Sequence, residues 1–237
     1  MDTHYVTILL DSVGSTQDEA AARFTGSPLL IVAAHQAEGR GRLNRAWLEA
    51  DRSMFSSLVY TPSAENRGLI PLITGLAVRR ALAATLDVDA GLRWPNDLVV
   101  GSDKVGGILV EANEDRAVVG CGVNLWWSDP IPGAAGVLPT DPGPNAAGIL
   151  AAAWVSRFFD RMDGEAVAWE PEEYRAASVT LGEHVAYERG SGIAVDIAAD
   201  GALLIDTGDG LIAVHAGEVR IQDPTTLRGA VESGESA

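Results

Sequence analysis

The stretch from Leu92 to Leu125 constrains the fold of this chain more than any other segment. Its apolar runs are separated by short polar turns. L-V-V passes through G-S-D into K-V-G-G-I-L-V-E, and Glu114 and Asp115 then lead into R-A-V-V-G-C-G-V-N-L. Strand-forming runs that are joined by a few turn residues of this kind are typical of antiparallel hairpins. The sequence therefore predicts two successive β-hairpins.

The remaining elements follow from the same kind of pattern. Apolar runs predict strands over 5–10, 29–34 and 53–60, while helical spacing predicts helices over 16–24, 67–86 and 145–162, with a short one opening at Pro171. Ser15 precedes Asp18 by three residues, and Thr16 precedes Glu19 by three, which is the spacing of a capping box at the start of the first helix.

The pattern changes near the C-terminus. From Leu181 onward, short strands alternate with Gly-containing turns, which predicts a small antiparallel β domain. A length of 237 residues suits a main domain with a small appendix. We therefore predict a main domain over 1–178, a small β domain over 179–223 and a disordered polar tail over 224–237.

Composition excludes several functional classes. The chain has 33 acidic residues against 17 Lys and Arg, a formal charge of −16, which argues against general binding of nucleic acid. A single cysteine excludes an internal disulfide framework. We see neither a signal peptide nor an apolar run of the roughly 18 residues that span a bilayer. These features predict a cytoplasmic protein that does not bind membranes.

In this acidic chain, positive charge is concentrated in one segment. The segment His35–Trp47 reads H-Q-A-E-G-R-G-R-L-N-R-A-W. Its arginines supply charged forks that fit carboxylates and phosphates, and its glycines let the backbone approach a ligand closely. The tryptophan adds a flat face or a packing anchor. Two interpretations stay open on these residues alone, a loop that wraps an anion and a solvated arginine turn. The candidate residues are Gly39, Arg40, Gly41, Arg42, Arg45 and Trp47.

The first hairpin carries a second candidate. Lys104 begins its return strand and is followed by Gly106 and Gly107, which often mark close approach of a ligand or of another backbone. The lysine is either a solvated hairpin residue or a charge aimed at a ligand. Cys121, between two glycines of the next strand, is expected to be an inert core thiol.

Four segments together resemble the catalytic-domain motifs of the biotin protein ligase family. They are G-S-T-Q (14–17), Q-A-E-G-R-G-R-L-N-R-A-W (36–47), R-W-P-N-D (93–97) running into K-V-G-G-I-L-V-E (104–111), and G-C-G-V-N-L (120–125). The resemblance implies an α+β fold with a central mixed β-sheet, helices on one face, and a small C-terminal SH3-like β domain. The implied activity is formation of biotinyl-5′-AMP from biotin and Mg-ATP, followed by transfer of biotin to a lysine of a carboxylase carrier domain.

The resemblance also implies roles for individual residues. The biotin ureido head would be held by Ser15, Thr16, Gln36 and the backbone of Gly39. Arg40 and Arg42 would wrap the adenylate phosphate and the biotin carboxyl, and Lys104 would contact the reacting carboxylate and α-phosphate. Trp47 would pack beside the adenine, which Asn124 would read. Asn96 and Asp97 would shape the hairpin, and Asp97 would help to place Mg²⁺. The implied substrate-binding set further contains Gln17, Gly41, Arg45, Trp94, Gly106 and Gly107.

Three departures from the family pattern keep alternatives open. The loop reads G-R-G-R-L-N-R, so Leu43 and Asn44 stand where the family usually has Arg and Gly. Glu38 precedes the loop where a small neutral residue is usual, and Gln17 replaces Asn. The alternatives are a ligase for lipoate or octanoate, and a non-catalytic biotin- or nucleotide-binding paralogue. No helix-turn-helix precedes the catalytic motifs, so we expect no DNA binding. Many relatives pair through the central sheet, and a homodimer is left open.

Overall fold

A computed structural model describes residues 5–62, 64–162, 169–215, 217 and 219–222 of the chain. The described residues form a seven-stranded mixed sheet, four α-helices and a five-stranded antiparallel sheet. This is the α+β fold with a central mixed sheet and a small C-terminal β unit that the sequence predicted. The predicted disordered tail, 224–237, lies outside the described residues.

The central sheet is antiparallel except at one edge, where its first two strands run parallel. The spatial order is β1-β2-β3-β7-β6-β5-β4. The strands are β1 (Val6–Val13), β2 (Leu29–Gln36), β3 (Arg52–Tyr60), β4 (Gly91–Arg93), β5 (Asp97–Val100), β6 (Asp103–Ala112) and β7 (Ala117–Trp126).

Both predicted hairpins are confirmed. The first joins β5 to β6 with Val100 opposite Asp103, and the second joins β6 to β7 with Ala112 opposite Ala117. In the second hairpin Gly107 lies opposite Gly122. Two neighbouring strands therefore lack side chains at the same level, which leaves a shallow floor on one face of the sheet.

Helices cover both faces of the central sheet. The helices are α1 (Thr16–Arg23), α2 (Ile70–Leu86), α3 (Ala146–Met162) and α4 (Pro171–Ala177). Residues of β2 alternate between two hydrophobic clusters, with Leu30 in the one that contains α2 and α3, and Ile31 in the one that contains Ala20 of α1. This alternation follows the two-residue period of a strand. The two long helices share one face, as expected, but α1 lies on the other.

The start of α1 differs from the prediction in one detail. Ser15 occupies the N-cap position with extended backbone, but its side chain makes no capping hydrogen bond. The capping-box interpretation of Ser15 is therefore wrong. Thr16 instead donates through both its backbone N–H and its hydroxyl to the side-chain oxygen of Gln36, so tertiary contacts orient this helix start.

The helical stretch Arg67–Leu86 is the one segment of the described chain that has the length and apolar composition to cross a membrane. Its central residues, such as Ile73, Leu76 and Ala77, are fully buried in the main hydrophobic cluster. The packing in this fold is that of a core helix, which needs the same apolar composition.

The C-terminal sheet packs directly on the main unit. Val185, Ile197 and Leu203 belong to the same hydrophobic cluster as α2 and the central sheet. The indole N–H of Trp94 donates to the carbonyl of Gly201 across this contact, at 3.0 Å. The strands, in the order β11-β10-β9-β8-β12, are β8 (His184–Tyr187), β9 (Gly190–Ile197), β10 (Leu203–Asp206), β11 (Leu211–Val214) and β12 (Arg220–Ile221).

Candidate active site

A cavity of about 250 Å³ opens between the basic segment that follows β2 and the glycine floor of β6 and β7. Most of the candidate residues line it. They are Ser15, Thr16, Gln17, Gln36, Arg40, Gly41, Arg42, Arg45, Trp47, Trp94, Asn96, Asp97, Lys104 and Gly107. The fourth motif contributes Gly120, Cys121 and Gly122 to the wall, so the tertiary structure brings residues from four separate sequence motifs to one cavity.

The basic segment 39–47, which we call the basic loop, is folded as a small hairpin. Trp47 donates its backbone N–H to the carbonyl of Gly39 at 2.9 Å, and Gly41 donates to the carbonyl of Arg45 at 2.8 Å. At the tip, Leu43 and Asn44 both have left-handed backbone, with φ of 57° and 56°. Left-handed backbone is common for Asn and unusual for Leu. Leu43 is 71% exposed, so the tip carries both local strain and an apolar side chain in solvent.

Trp47 lies flat on the glycine floor. A Cβ on Gly107 would be 2.9 Å from the indole, and one on Gly122 would be 3.0 Å from it. A Cβ at Gly107 would force the ring to shift, and one at Gly122 would make an unusually tight contact, so glycine at both positions lets the ring lie this close to the sheet. The Lys104 Nζ lies 5.5 Å from the ring centroid, within the range of a cation–π contact.

The cations of the cavity are held by defined partners. Lys104 Nζ pairs with Asp97 Oδ1 at 2.7 Å. Arg42 donates to Asn96 Oδ1 at 3.0 Å and to the Gly217 carbonyl at 2.7 Å. The adjacent residues Asn96 and Asp97 thus bring the loop arginine and the hairpin lysine to the same end of the cavity.

A polar network occupies the end of the cavity next to α1. The Gln36 side-chain oxygen accepts the Thr16 N–H at 2.8 Å and the Thr16 hydroxyl at 3.0 Å. The Thr16 hydroxyl in turn accepts from the buried Ser57 at 2.8 Å. Because its oxygen faces α1, Gln36 presents its amide N–H groups to the other side. Gln17 also lines this end and is anchored by donating to Glu111 Oε2 at 3.1 Å.

Three predicted residues do not line the cavity. Gly39 does not line it, although a Cβ there would be 2.6 Å from the amide nitrogen of Gln36, which does. Gly106 lies under the floor, where a Cβ would meet the Gly122 carbonyl at 3.0 Å. Asn124 is buried and donates to the carbonyl of Ala135. Trp94 reaches the wall, but its indole N–H is committed to Gly201, so it also joins the two sheets.

Sequence reasoning missed several wall residues. Arg93 was visible in the R-W-P-N-D motif, and its Nη2 donates to the carbonyl of Ser102 at 3.1 Å. Phe55 and Ser56 come from a strand that is buried along almost its whole length, and its sequence does not distinguish the residues that face the cavity from those that face the core. Val219 belongs to the C-terminal unit, about a hundred residues from the nearest motif, so no local pattern could have placed it.

Three groups in or beside the site have displaced pKa values, and the hydrogen bonds to Asp18 raise the pKa of Arg40. The hydrogen bonds from Arg40 lower the pKa of Asp18 below its ordinary value. Burial raises the pKa of the Cys121 thiol strongly. Cys121 contributes to the cavity wall, yet a thiol that resists ionisation is a poor nucleophile.

The described part of the site offers few protein ligands for a metal. Within the described ranges, no group of three or more His, Cys, Asp or Glu side chains is placed to bind one. Asp97 supplies one carboxylate at the cavity wall, and one of its oxygens already pairs with Lys104. This suits Mg²⁺ that arrives with nucleotide phosphates, which needs only one or two protein carboxylates.

Comparison with known proteins agrees with the motifs. The profile of the biotin/lipoate A/B protein ligase family matches residues 10–125, and that of the biotin protein ligase C-terminal domain matches residues 180–221. A biotin–[acetyl-CoA-carboxylase] ligase of Mycobacterium tuberculosis is 30% identical over 230 residues, which cover 87% of this chain and 85% of that protein. The chain belongs to the biotin protein ligase family.

Other members of the biotin protein ligase family match over similar lengths. A biotin–[acetyl-CoA-carboxylase] ligase of Paracoccus denitrificans is 27% identical and is covered to 96% of its length, with 88% of this chain matched. The structure of the Aquifex aeolicus biotin protein ligase in complex with biotin and ATP superposes with a TM-score of 0.79 at 26% identity. That match covers 92% of this chain and 98% of the Aquifex protein.

Proposed function

We propose that this chain is an ATP-dependent biotin protein ligase. In the first step, a carboxylate oxygen of biotin attacks the α-phosphorus of ATP, and pyrophosphate leaves. In the second step, the amine of a carrier lysine attacks the acyl carbon of biotinyl-5′-AMP, and AMP leaves. The observation that carries the proposal is the shared cavity of Lys104 and the basic loop, in a chain whose full-length relatives are named as biotin ligases.

The cationic end of the cavity suits the first step. Two anions, a carboxylate and a triphosphate, must be brought into contact. A cation about 4 Å from a phosphate is worth roughly 4 kcal/mol at an effective dielectric near 20. In the proposed arrangement Lys104 bridges the two reacting groups, and Arg42 lies beside the phosphate. Their hydrogen bonds to Asp97 and Asn96 fix both cations before the substrates bind, which reduces reorganisation during the reaction.

The polar end of the cavity suits the biotin head. A ureido group carries one acceptor and two donors. Gln36 offers amide N–H groups for the ureido oxygen, since its own oxygen already accepts from Thr16. Ser15, whose hydroxyl makes no capping bond, is close enough to join this recognition. The Trp47 ring, which lies on the glycine floor, would pack beside the ligand and help to exclude water from the mixed anhydride.

Magnesium enters this proposal as part of the substrate, Mg-ATP. Bound to the phosphates, it would neutralise part of the charge that develops on pyrophosphate. The second oxygen of Asp97 is the protein ligand that we propose for it. Asp97 would therefore hold Lys104 with one oxygen and the metal–nucleotide complex with the other.

The proposal is tested by exchange of labelled pyrophosphate into ATP. Biotin should stimulate the exchange in the wild-type protein, and Lys104→Ala should abolish the stimulation. Biotin binding by calorimetry without any exchange, even when a carrier is supplied, would identify a non-catalytic paralogue instead. Stimulation by lipoate or octanoate in preference to biotin would show that the acid was assigned wrongly.

A further inference from the structure

Arg40 is engaged away from the reacting end of the cavity. Its two terminal nitrogens each donate to one carboxylate oxygen of Asp18, both at 2.7 Å. Such a two-bond pairing of guanidinium and carboxylate fixes orientation as well as distance. Arg40 was expected to contact the adenylate phosphate. In this structure its guanidinium instead joins the basic loop to the first turn of α1.

This ion pair is one of several hydrogen-bonded contacts that hold the basic loop to the junction between β1 and α1. Glu38, directly before the loop, donates its backbone N–H to the carbonyl of Gly14 at 2.7 Å. Gly39 and Trp47 are joined across the hairpin by a backbone hydrogen bond. Because the two limbs are bonded to each other, whatever holds Arg40 also holds Trp47 over the glycine floor.

We propose that Asp18 is a positioning residue that keeps the basic loop closed over the cavity. The carboxylate acts on the substrate only through Arg40 and the hairpin limb that carries it. The ligand that is retained is the acyl-adenylate, and only this part of the inference rests on the proposed function. Asp18 follows Thr16 and Gln17 on one helical turn, so the same turn carries the polar end wall and the loop restraint.

The restraint is suited to repeated opening. The Asp18 side chain is 62% exposed and that of Arg40 is 30% exposed, so solvent screens the pair. Exposed ion pairs of this kind shift an equilibrium by about two- to fivefold. A restraint of this strength favours the closed loop without preventing entry of substrates and exit of products. Glu38 and Glu111 attract Arg40 at longer range, so neutralising Asp18 weakens the closed state without removing all attraction.

The same helix offers a matched control. Glu19 is the next residue of the first turn, and it pairs with Arg23 on α1 itself at 2.8 Å. Asp18→Asn and Glu19→Gln each remove one carboxylate from the helix N-terminus, so they change the helix macrodipole interaction alike. Only Asp18→Asn removes a charged contact between the helix and the basic loop.

The first experiment needs no ligand. We expect trypsin to cleave after Arg42 and Arg45 faster when the loop opens, because hydrogen bonds between its limbs hold the closed loop folded. We expect Asp18→Asn to raise the cleavage rate about two- to fivefold at low salt, and Glu19→Gln to leave it at the wild-type value. Added salt should raise the wild-type rate toward that of Asp18→Asn, because screening weakens the ion pair. Equal rates for the wild type and Asp18→Asn at low salt would overturn the restraint. If Asp18→Asn fails to fold, Arg40→Gln breaks the same pair from the loop side and carries the same expectation.

The second experiment measures retention of the intermediate. Labelled biotin and ATP are loaded on the enzyme, and release of labelled adenylate is followed after dilution into unlabelled substrates. Asp18→Asn should release the adenylate about two- to fivefold faster, with Glu19→Gln unchanged. An unchanged release rate in Asp18→Asn would overturn the retention role. Absence of adenylate in the wild type would instead contradict the proposed function, and the trypsin comparison would still decide the restraint.

Discussion

The ammonium of Lys104 lies 2.7 Å from the carboxylate of Asp97, on the neighbouring strand of the same hairpin. Asp97 ends the W-P-N-D motif and begins β5, while Lys104 lies near the start of β6. Since the hairpin fixes both residues, the charge of Lys104 is oriented by the fold itself. The pair is partly exposed, and it faces the cavity that also contains Trp47 and Arg42.

The Lys104–Asp97 ion pair predicts different losses of activity when either residue is replaced. Lys104→Ala should reduce biotin-dependent pyrophosphate exchange by about a thousandfold, because a preorganised charge is lost at the reacting phosphate. Asp97→Asn keeps the lysine but removes its orienting charge, and we expect a loss of about tenfold. Exchange at saturating biotin and ATP measures both effects. As a control, Asp129→Asn, in the exposed loop that follows β7, should be unchanged. Equal activities of Asp97→Asn and the wild type would show that Asp97 does not orient Lys104.

Lys104 is also the only lysine in the 237-residue sequence. Amine-reactive acetylation can therefore modify the protein only there and at the N-terminus. We expect biotin with ATP to slow acetylation of Lys104 about tenfold or more, because bound phosphates cover and engage the ammonium. Peptide mass spectrometry measures the two sites separately, so the N-terminal amine is the internal control. Equal rates at Lys104 with and without both ligands would place the lysine outside the ligand site.

The glycine floor predicts a steric effect. Gly122→Ala adds a Cβ 3.0 Å from the ring of Trp47, so the indole has to move away from the sheet. We expect ligand affinity to fall at least about tenfold, since the loop can no longer seat on its floor. The matched change is Gly148→Ala in α3, where an added Cβ meets nothing within 4 Å. This control should be neutral or stabilising by about 0.5–1 kcal/mol, and biotin titration with thermal unfolding of both variants checks the pair. Unchanged affinity in Gly122→Ala would contradict the close packing of Trp47.

The ion pair between Arg52 and Asp141 predicts a pH-dependent stability. Hydrogen bonds from Arg52 and from the backbone N–H of Gly143 lower the pKa of Asp141 to about 2. In the unfolded chain the carboxyl titrates near 3.9. Because the folded pKa is the lower one, the stabilisation is complete above about pH 4 and is lost as the pH falls toward about 2.

Asp141→Asn should therefore lower the thermal midpoint at pH 7, and the difference from the wild type should shrink below about pH 4. Thermal unfolding of both proteins across this range is the measurement. A difference that stays constant down to about pH 2 would mean that the amide substitution acts through packing rather than through charge.

The helices behind the site contain a buried guanidinium. Arg161 on α3 is buried and contacts Glu170 at 2.8 Å, and Arg80 on α2 reaches the same carboxylate at 3.2 Å. We expect Arg161→Ala to lower the free energy of unfolding by about 2 kcal/mol, because it removes the buried partner and leaves space in the core. Arg157→Ala, one turn earlier on α3 and partly exposed, should cost less than about 1 kcal/mol. Urea unfolding compares the two, and equal costs would contradict a structural role for this cluster.

Some elements of the fold and of the site could be predicted from the sequence, and others could not. The hairpins of β5–β7 were predictable because turn residues and alternating apolar runs are local properties. The basic loop was predictable as a ligand segment through its density of Arg and Gly, but its shape was not. Leu43 occupies left-handed backbone because the hydrogen bonds between the limbs of the loop hold the tip closed, and residue preference alone would have predicted this only for Asn44.

The sequence by itself determined the strands and helices, because these follow from local pattern. Through motif resemblance it also determined which kinds of side chain would contact a carboxylate, a phosphate and a ureido group. Only the tertiary structure decided which partner each group takes. In the folded protein Arg40 pairs with Asp18, and Trp94 donates to the C-terminal unit. Asn124 does not line the cavity, whereas Val219 does. The physical reason is that side-chain pairing depends on distance in space, and burial and strand register set that distance independently of separation along the chain.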